Sequence, residues 1–371
     1  MMAKNLIMSW NRFGPLFTLA FALNCLSFPL LAQPEYKPVS LPEPKIQYLG
    51  VGGWLLHWRG EGLLIAPSFS NPALMNLEGW PPVRVAANKE KIDKFMPPAD
   101  DVTMLLVGHG HYDHLLDVPW VMATKTPHAV LYGSTTVKNI LHAFSDKQKM
   151  TAQGEPWVDP VRVVDATPQM KSIPGCEDAT KQAEGKWIPS SGGHIRVMPI
   201  QSMHASHVLG FTVAHGESPE LNEIPTTVFG WKQGQSMAWL IELLDITSQG
   251  QKVVYRIHFQ DSPATPPCGF PPATLDGEPT AMDVEILGVG GWENVRNYPD
   301  ELLKRTRPRL VLLGHWENFF GNDLRRKPTP LMGQDIENMR QAVEQALKAD
   351  HNSARVQMPA PLDDVALPPS P

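Results

Sequence analysis

Three histidines and an aspartate fall within six residues in Val107-Gly108-His109-Gly110-His111-Tyr112-Asp113-His114, directly after an uninterrupted apolar run. Such a run reads as a strand buried on both faces, so the cluster stands at a strand end. Neutral imidazole and carboxylate are the usual protein ligands of zinc and its neighbours. His109 and His111 share a side by period-two geometry, and Asp113 and His114 can then face a second metal. A polar surface turn that happens to hold histidines is the bland alternative. It suits single histidines better than a full His-x-His-x-Asp-His string set in a tight, Gly-containing loop.

The remainder of the chain fits a secreted globular protein. Its 371 residues suffice for one large domain or two ordinary ones, and its 37 prolines lie mostly in apparent loops. A net charge of -6 and the absence of a basic stripe with interleaved aromatics exclude a nucleic-acid binder. Lys4 and Arg12 precede an uncharged apolar stretch over 16–32 that ends in Leu30-Leu31-Ala32. This is a secretory signal pattern. Residues 1–32 are expected to be a signal peptide, which places the mature chain in the periplasm or outside the cell with no integral membrane span. Asn24 before Cys25 argues against a lipoprotein. Removing the segment takes away two positive charges and no negative ones, leaving -8. Cys176 and Cys268 then remain, both in Pro/Gly-flanked loops. In an oxidising compartment a disulfide is favoured over two free loop thiols.

Strand-like runs occur at 48–58, 63–65, 102–107, 128–132, 195–200, 237–244, 253–259, 284–287 and 310–313, and helical patterns at 136–144, 299–305 and 336–347. Residues 145–190 read as an insertion or long loop region, and 356–371 as a Pro-rich disordered tail, leaving 33–355 for the folded domain. Leu-Gly-Val-Gly-Gly-Trp occurs at 49–54 and again at 287–292. The echo is either chance or a mark of equivalent strand ends in two similar halves. Strands followed by helices in both halves suggest two sheets covered by helices.

The string resembles the motif of the metallo-β-lactamase superfamily, and the resemblance extends from about Tyr48 to about Phe320. It implies an α/β fold, an α/β/β/α sandwich of two mixed sheets flanked by helices. It also implies further ligands in a set order at strand ends: His204 in Ile200-Gln201-Ser202-Met203-His204, Asp261 in Phe259-Gln260-Asp261, and His315 in Leu313-Gly314-His315. By that carry-over His109, His111 and His204 hold one divalent ion, Asp113, His114 and His315 a second, and Asp261 bridges them. His207 rivals His204, which is preferred because it follows its strand sooner; His258 reads as structural. The ions are expected to be zinc, with manganese or iron as alternatives because every ligand is nitrogen or oxygen.

Within the superfamily the chain is most similar to the branch of N-acyl-phosphatidylethanolamine phospholipase D and the ascorbate-phosphate lactonases. It departs from that branch in having Ala66 where an Asp is frequent, and Asp117 one residue later than usual. The resemblance implies a binuclear hydrolase. A metal-bridging hydroxide, with water's pKa lowered from about 15.7 towards 7, would cleave an ester, lactone or phosphodiester in a small or lipid-like substrate. Asp113 and Asp261 are the expected catalytic carboxylates, and His207 or Tyr112 the candidates to assist the leaving group. His207, Trp54, Trp316 and Asn318 are expected in the substrate pocket, with core packing as the alternative for the two Trp residues. Asp261 disfavours β-lactam hydrolysis, since zinc β-lactamases generally lack a bridging Asp there. A non-catalytic metal-binding or scaffold protein is the rival class, which usually loses ligands. The oligomeric state is not legible.

Overall fold

Arg59 and Gly60 both take positive φ, 52° and 81°, as a two-residue hairpin turn requires. They close an antiparallel meander of β1 (Lys45–Gly50), β2 (Gly53–Trp58) and β3 (Glu61–Ile65). Three parallel strands follow: β4 (Val102–Leu106), β5 (Val130–Gly133) and β6 (Val163–Asp165). A second sheet repeats this pattern. Its antiparallel part is β7 (Ile188–Pro189), β8 (Ile195–Gln201), β9 (Met237–Thr247) and β10 (Gly250–Gln260). After a small hairpin of β11 (Thr274–Leu275) and β12 (Glu278–Pro279) come parallel strands β13 (Val284–Gly288), β14 (Leu310–Gly314) and β15 (Arg355–Gln357). Finally β16 (Asp364–Ala366) returns to the first sheet beside β1. Each sheet has seven strands, in the orders β16-β1-β2-β3-β4-β5-β6 and β15-β14-β13-β10-β9-β8-β7.

These elements come from the computed structural model, which describes residues 44–70, 84–145, 156–176, 183–207, 212–321, 323–331 and 334–370. Residues 1–32, expected to be a signal peptide, lie outside them. All described residues fall in one compact unit, Glu35–Pro371.

The sheets face each other across a core of Trp54, Leu56, Leu63 and Ile65 from the first and Trp239, Ile241, Ile257 and Ile286 from the second. Alternation along the strands puts Leu55, Leu64 and Leu105 on the first sheet's other face. There they cluster with residues of α1 (Lys89–Phe95), α3 (Val118–Thr124) and α4 (Thr135–Leu141), and α2 (Tyr112–Leu115) is the short turn between β4 and α3. At the parallel end of the second sheet, α5 (Asp300–Thr306) packs on α6 (Ile336–Ala349). The arrangement is an α/β/β/α sandwich of two mixed sheets. Among the described residues no helix is long and apolar enough to cross a membrane.

Two expectations need correction. The 356–371 segment is not a disordered tail where it is described. β16 pairs with β1, Val365 and Leu367 are buried, and Lys45 Nζ donates to Asp364 Oδ2 at 2.6 Å. Its prolines lie outside β16, where no ladder N–H is needed. The described parts of 145–190 are not a plain loop either, since β6 and β7 each extend a sheet edge. Cys176 and Cys268 form a disulfide, their Cα atoms 5.4 Å apart.

Candidate metal centre

The seven residues singled out by motif and resemblance converge from four strand ends and the loops that follow them. His109 to His114 follow β4, His204 follows β8, Asp261 follows β10 and His315 follows β14. Three overlapping groups could each hold an ion, with ligand atoms all within 4.8 Å of one another: His109, His111 and His204; Asp113, His114 and His315; and His109, His114 and Asp261. The third group joins the other two through Asp261. His109 Nδ1 donates to Asp261 Oδ2 at 2.5 Å, and His114 Nδ1 lies 3.2 Å from Asp261 Oδ1. His315 Nε2 lies 3.2 Å from Asp113 Oδ2. His204 Nδ1 donates to the Ala205 carbonyl at 2.6 Å, which leaves Nε2 as its ligand atom. His207 stands beside His204 with ring centroids 4.8 Å apart but belongs to none of the three groups.

Close approach depends on glycine. A Cβ on Gly52 would lie 2.5 Å from His114 Nδ1, and one on Gly108 would overlap the Asp261 carboxylate. The two Leu-Gly-Val-Gly-Gly-Trp copies end β1 and β13, which are not equivalent strands of the two sheets. Even so, both of their glycine turns abut the centre, at His114 and His315.

The residues fit a pair of divalent ions. Buried His109 Nε2, His111 Nε2 and His315 Nδ1 have no hydrogen-bond partner. Unsatisfied buried groups of this kind cost about 1–3 kcal/mol each, and an ion would satisfy them. Burial and then the neighbouring histidines hold His111 and His204 well below the ordinary imidazole range, so both are neutral and ready to ligate. Burial alone would raise Asp113 and Asp261. Charge on His114 outweighs it, aided by His315 for Asp113 and His109 for Asp261, and both stay ionised. His114 answers them: burial would lower it, but Asp261 and Asp113 push it up to about 9. In the metal-free chain a proton on His114 thus offsets carboxylate charge that a divalent ion would take over, releasing the proton.

A pocket of about 540 Å³ opens over the centre, and His207 and Tyr112 line it. Trp54, which is buried between the sheets, Trp316 and Asn318 do not. His315 takes φ 59°, so the chain turns and sends Trp316 into the core, where its indole donates to Pro359 O at 2.9 Å. Asn318 Oδ1 accepts from Phe320 N at 3.2 Å. Phe319 and Phe320 line the pocket instead, with Trp292 after β13. His258 is structural: it is fully buried between Glu285 Oε1 at 2.7 Å and Gly269 O at 2.9 Å. Two supporting groups were not singled out in the sequence. Tyr48 Oη accepts from His315 N at 2.8 Å and donates to Glu317 Oε2 at 2.6 Å, and Glu317 Oε1 accepts from Val51 N at 2.6 Å. Ala66 stands where a carboxylate was expected after the hairpin. Asp117 holds the loop beyond it, with Oδ2 accepting from Phe69 N at 2.6 Å and Ser70 N at 2.8 Å.

No protein-family model matches the chain, and no curated protein does. Among solved structures, it is similar to a metallo hydrolase from Ignicoccus hospitalis at 14% identity and TM-score 0.45, covering 86% of this chain and 97% of that one. A possible metal-dependent hydrolase from Veillonella parvula gives 15%, 0.45, 87% and 99% in the same order. A metallo-β-lactamase-fold protein from Bacillus subtilis gives 11%, 0.43, 86% and 98%. Likeness at this level is silent on activity and substrate.

Proposed function

We propose that the protein is an exported hydrolase that holds two divalent metal ions and cleaves an ester, lactone or phosphodiester. One observation carries the reading: two three-residue ligand groups are joined by Asp261, which contacts His109 of one and His114 of the other. A scaffold protein has no need of such a set, buried with its nitrogen atoms unpartnered. His109, His111 and His204 would hold one ion, Asp113, His114 and His315 the other, with Asp261 between them. Divalent ions bound there supply Lewis acidity and make water acidic near neutral pH. Zinc suits the nitrogen-rich set best, with manganese and iron as alternatives.

The chain's own groups then act on substrate. Asp113 stays ionised and orients the attacking water. His207 Nδ1 accepts from Val213 N at 3.0 Å, so the neutral ring carries its proton on Nε2 and can donate there to a departing oxygen. Burial and then Asp113 raise the Tyr112 phenol far above its ordinary value, so Tyr112 serves as a hydrogen-bond donor at pH 7. Export is supported by the signal pattern at 1–32 and by the Cys176–Cys268 disulfide.

The test is a panel of chromogenic esters, lactones and phosphodiesters, run with and without chelator. The metal-loaded chain is expected to hydrolyse at least one class, and Asp261→Ala to lose about 10²-fold or more. Equal rates for Asp261→Ala and the native chain would reject the assignment.

A further inference from the structure

The pocket over the centre has an uneven chemical character. Val213, Val228, Trp292, Phe319, Phe320 and Leu331 form its walls away from the ligands. Phe319 stands edge-on to His315 with centroids 5.0 Å apart, and Phe320 packs against Phe319 at 4.2 Å. The apolar wall thus begins at a ligand of the centre. No Lys or Arg is among the described residues that line the pocket, and the one charged side chain there outside the ligand set is the exposed Glu293.

These features discriminate among the three bond types. A phosphodiester carries an anion into the site and commonly a second charged or strongly hydrated group beyond it, and proteins meet such groups with Arg, Lys or ranks of backbone N–H. Among the described lining residues the ions would be the only cations, and Asp113 and Asp261 already offset half the charge that two divalent ions bring. Glu293 at the pocket repels further anions. Seating charge against the aromatic wall without a partner is unfavourable, whereas a neutral acyl group gains about fourfold in affinity for each methylene buried. A volume of about 540 Å³ lies in the range that encloses a single drug-sized ligand, which suits one acyl chain or one aromatic group.

We infer that the substrate is a neutral carboxylic ester or lactone with a single apolar acyl portion. That portion lies along Trp292, Phe319 and Phe320. This rests on the hydrolase reading above and narrows it. In the reaction, water's oxygen bonds to the acyl carbon and the acyl C–O bond breaks. One proton of the water passes to the departing alkoxide, and the acid product releases the other to solvent. Trp292 and Phe320 set specificity.

The experiment pairs kinetics with binding. The metal-loaded chain is assayed on p-nitrophenyl acetate, butyrate and octanoate and on bis(p-nitrophenyl) phosphate. Calorimetry measures binding of methyl octanoate against methyl acetate. We expect kcat/KM to rise by roughly tenfold or more from acetate to octanoate, the phosphodiester to be the poorest substrate, and methyl octanoate to bind detectably where methyl acetate does not. Trp292→Ala and Phe320→Ala should each flatten the chain-length slope, while Trp292→Phe, which keeps an aromatic ring in the wall, should preserve it. If either Ala variant fails to fold, the slope of the native chain and the Trp292→Phe result still decide. A phosphodiester cleaved faster than every ester, or a flat ester series, overturns this inference and leaves the hydrolase reading standing. If nothing is hydrolysed, the hydrolase reading fails, and binding decides the pocket: preference for methyl octanoate upholds its character, and absence of that preference overturns it.

Discussion

Glu317 is buried and touches none of the seven proposed ligands, yet its carboxylate governs one of them. Through Tyr48 Oη it fixes the backbone N–H of His315, where the positive φ of 59° has to be held in place. Outer groups of this kind are worth roughly 10–100-fold in metal affinity. Glu317→Gln replaces an acceptor of Tyr48 or Val51 with an amide donor. It is expected to weaken one of two metal sites by that factor in a competitive chelator titration while the other keeps its affinity. Unchanged affinity at both sites would exclude this positioning role. The seven candidate ligands were legible in the sequence because each stands at the end of an apolar run, in an order the resemblance supplied. Glu317 was not, because its partner Tyr48 is 269 residues away and a lone Glu carries no periodic signal. Trp316 and Asn318 were misplaced for a local reason: nothing in Gly314-His315-Trp316 announces that a non-glycine residue will take a left-handed conformation there.

At the scale of elements, the long strands and α4, α5 and α6 followed their patterns. Misses fell on short pieces. α1 buries Ile92 alone, and α3 (Val118–Thr124) is apolar nearly throughout, so neither shows an amphipathic period. β15 and β16 have three residues each and exist only because distant strands pair with them, so the prolines around them read as disorder. Asp117, between α2 and α3, connects sequence to stability. Burial raises its carboxyl to about 6, against the hydrogen bonds from Ser70 and Phe69. A carboxyl raised in the folded state favours folding when protonated. Its contribution is therefore fully present below its ordinary value near 4 and is lost as the pH rises through about 6. Asp117→Asn mimics the protonated form and keeps an acceptor for Phe69 N and Ser70 N. Denaturant unfolding should show the variant matching the native chain near pH 4 and gaining up to about 3 kcal/mol on it by pH 7, at about 1.4 kcal/mol per pH unit. A variant that falls behind the native chain as the pH rises would contradict the buried charge.

Over the whole molecule, the two sheets share one plan, an antiparallel part followed by three parallel strands, and the centre draws on both. β4 of the first sheet leads into His109, His111, Asp113 and His114, while β8, β10 and β14 of the second lead to His204, Asp261 and His315. The similarity of halves was legible in the alternation of strands and helices. The repeated hexapeptide was a misleading sign of it, because its copies end non-equivalent strands, though both bring glycine turns against the centre. Neither sheet alone completes a site, so metal content reports on the assembled sandwich. The central claim is a two-ion centre, and the direct test is metal analysis of the gently purified chain together with anomalous diffraction from its crystals. Two ions per chain, about 3.5–4 Å apart with Asp261 between them, is the predicted result. Fewer than one ion per chain, or a single ion placed away from Asp261, would contradict it.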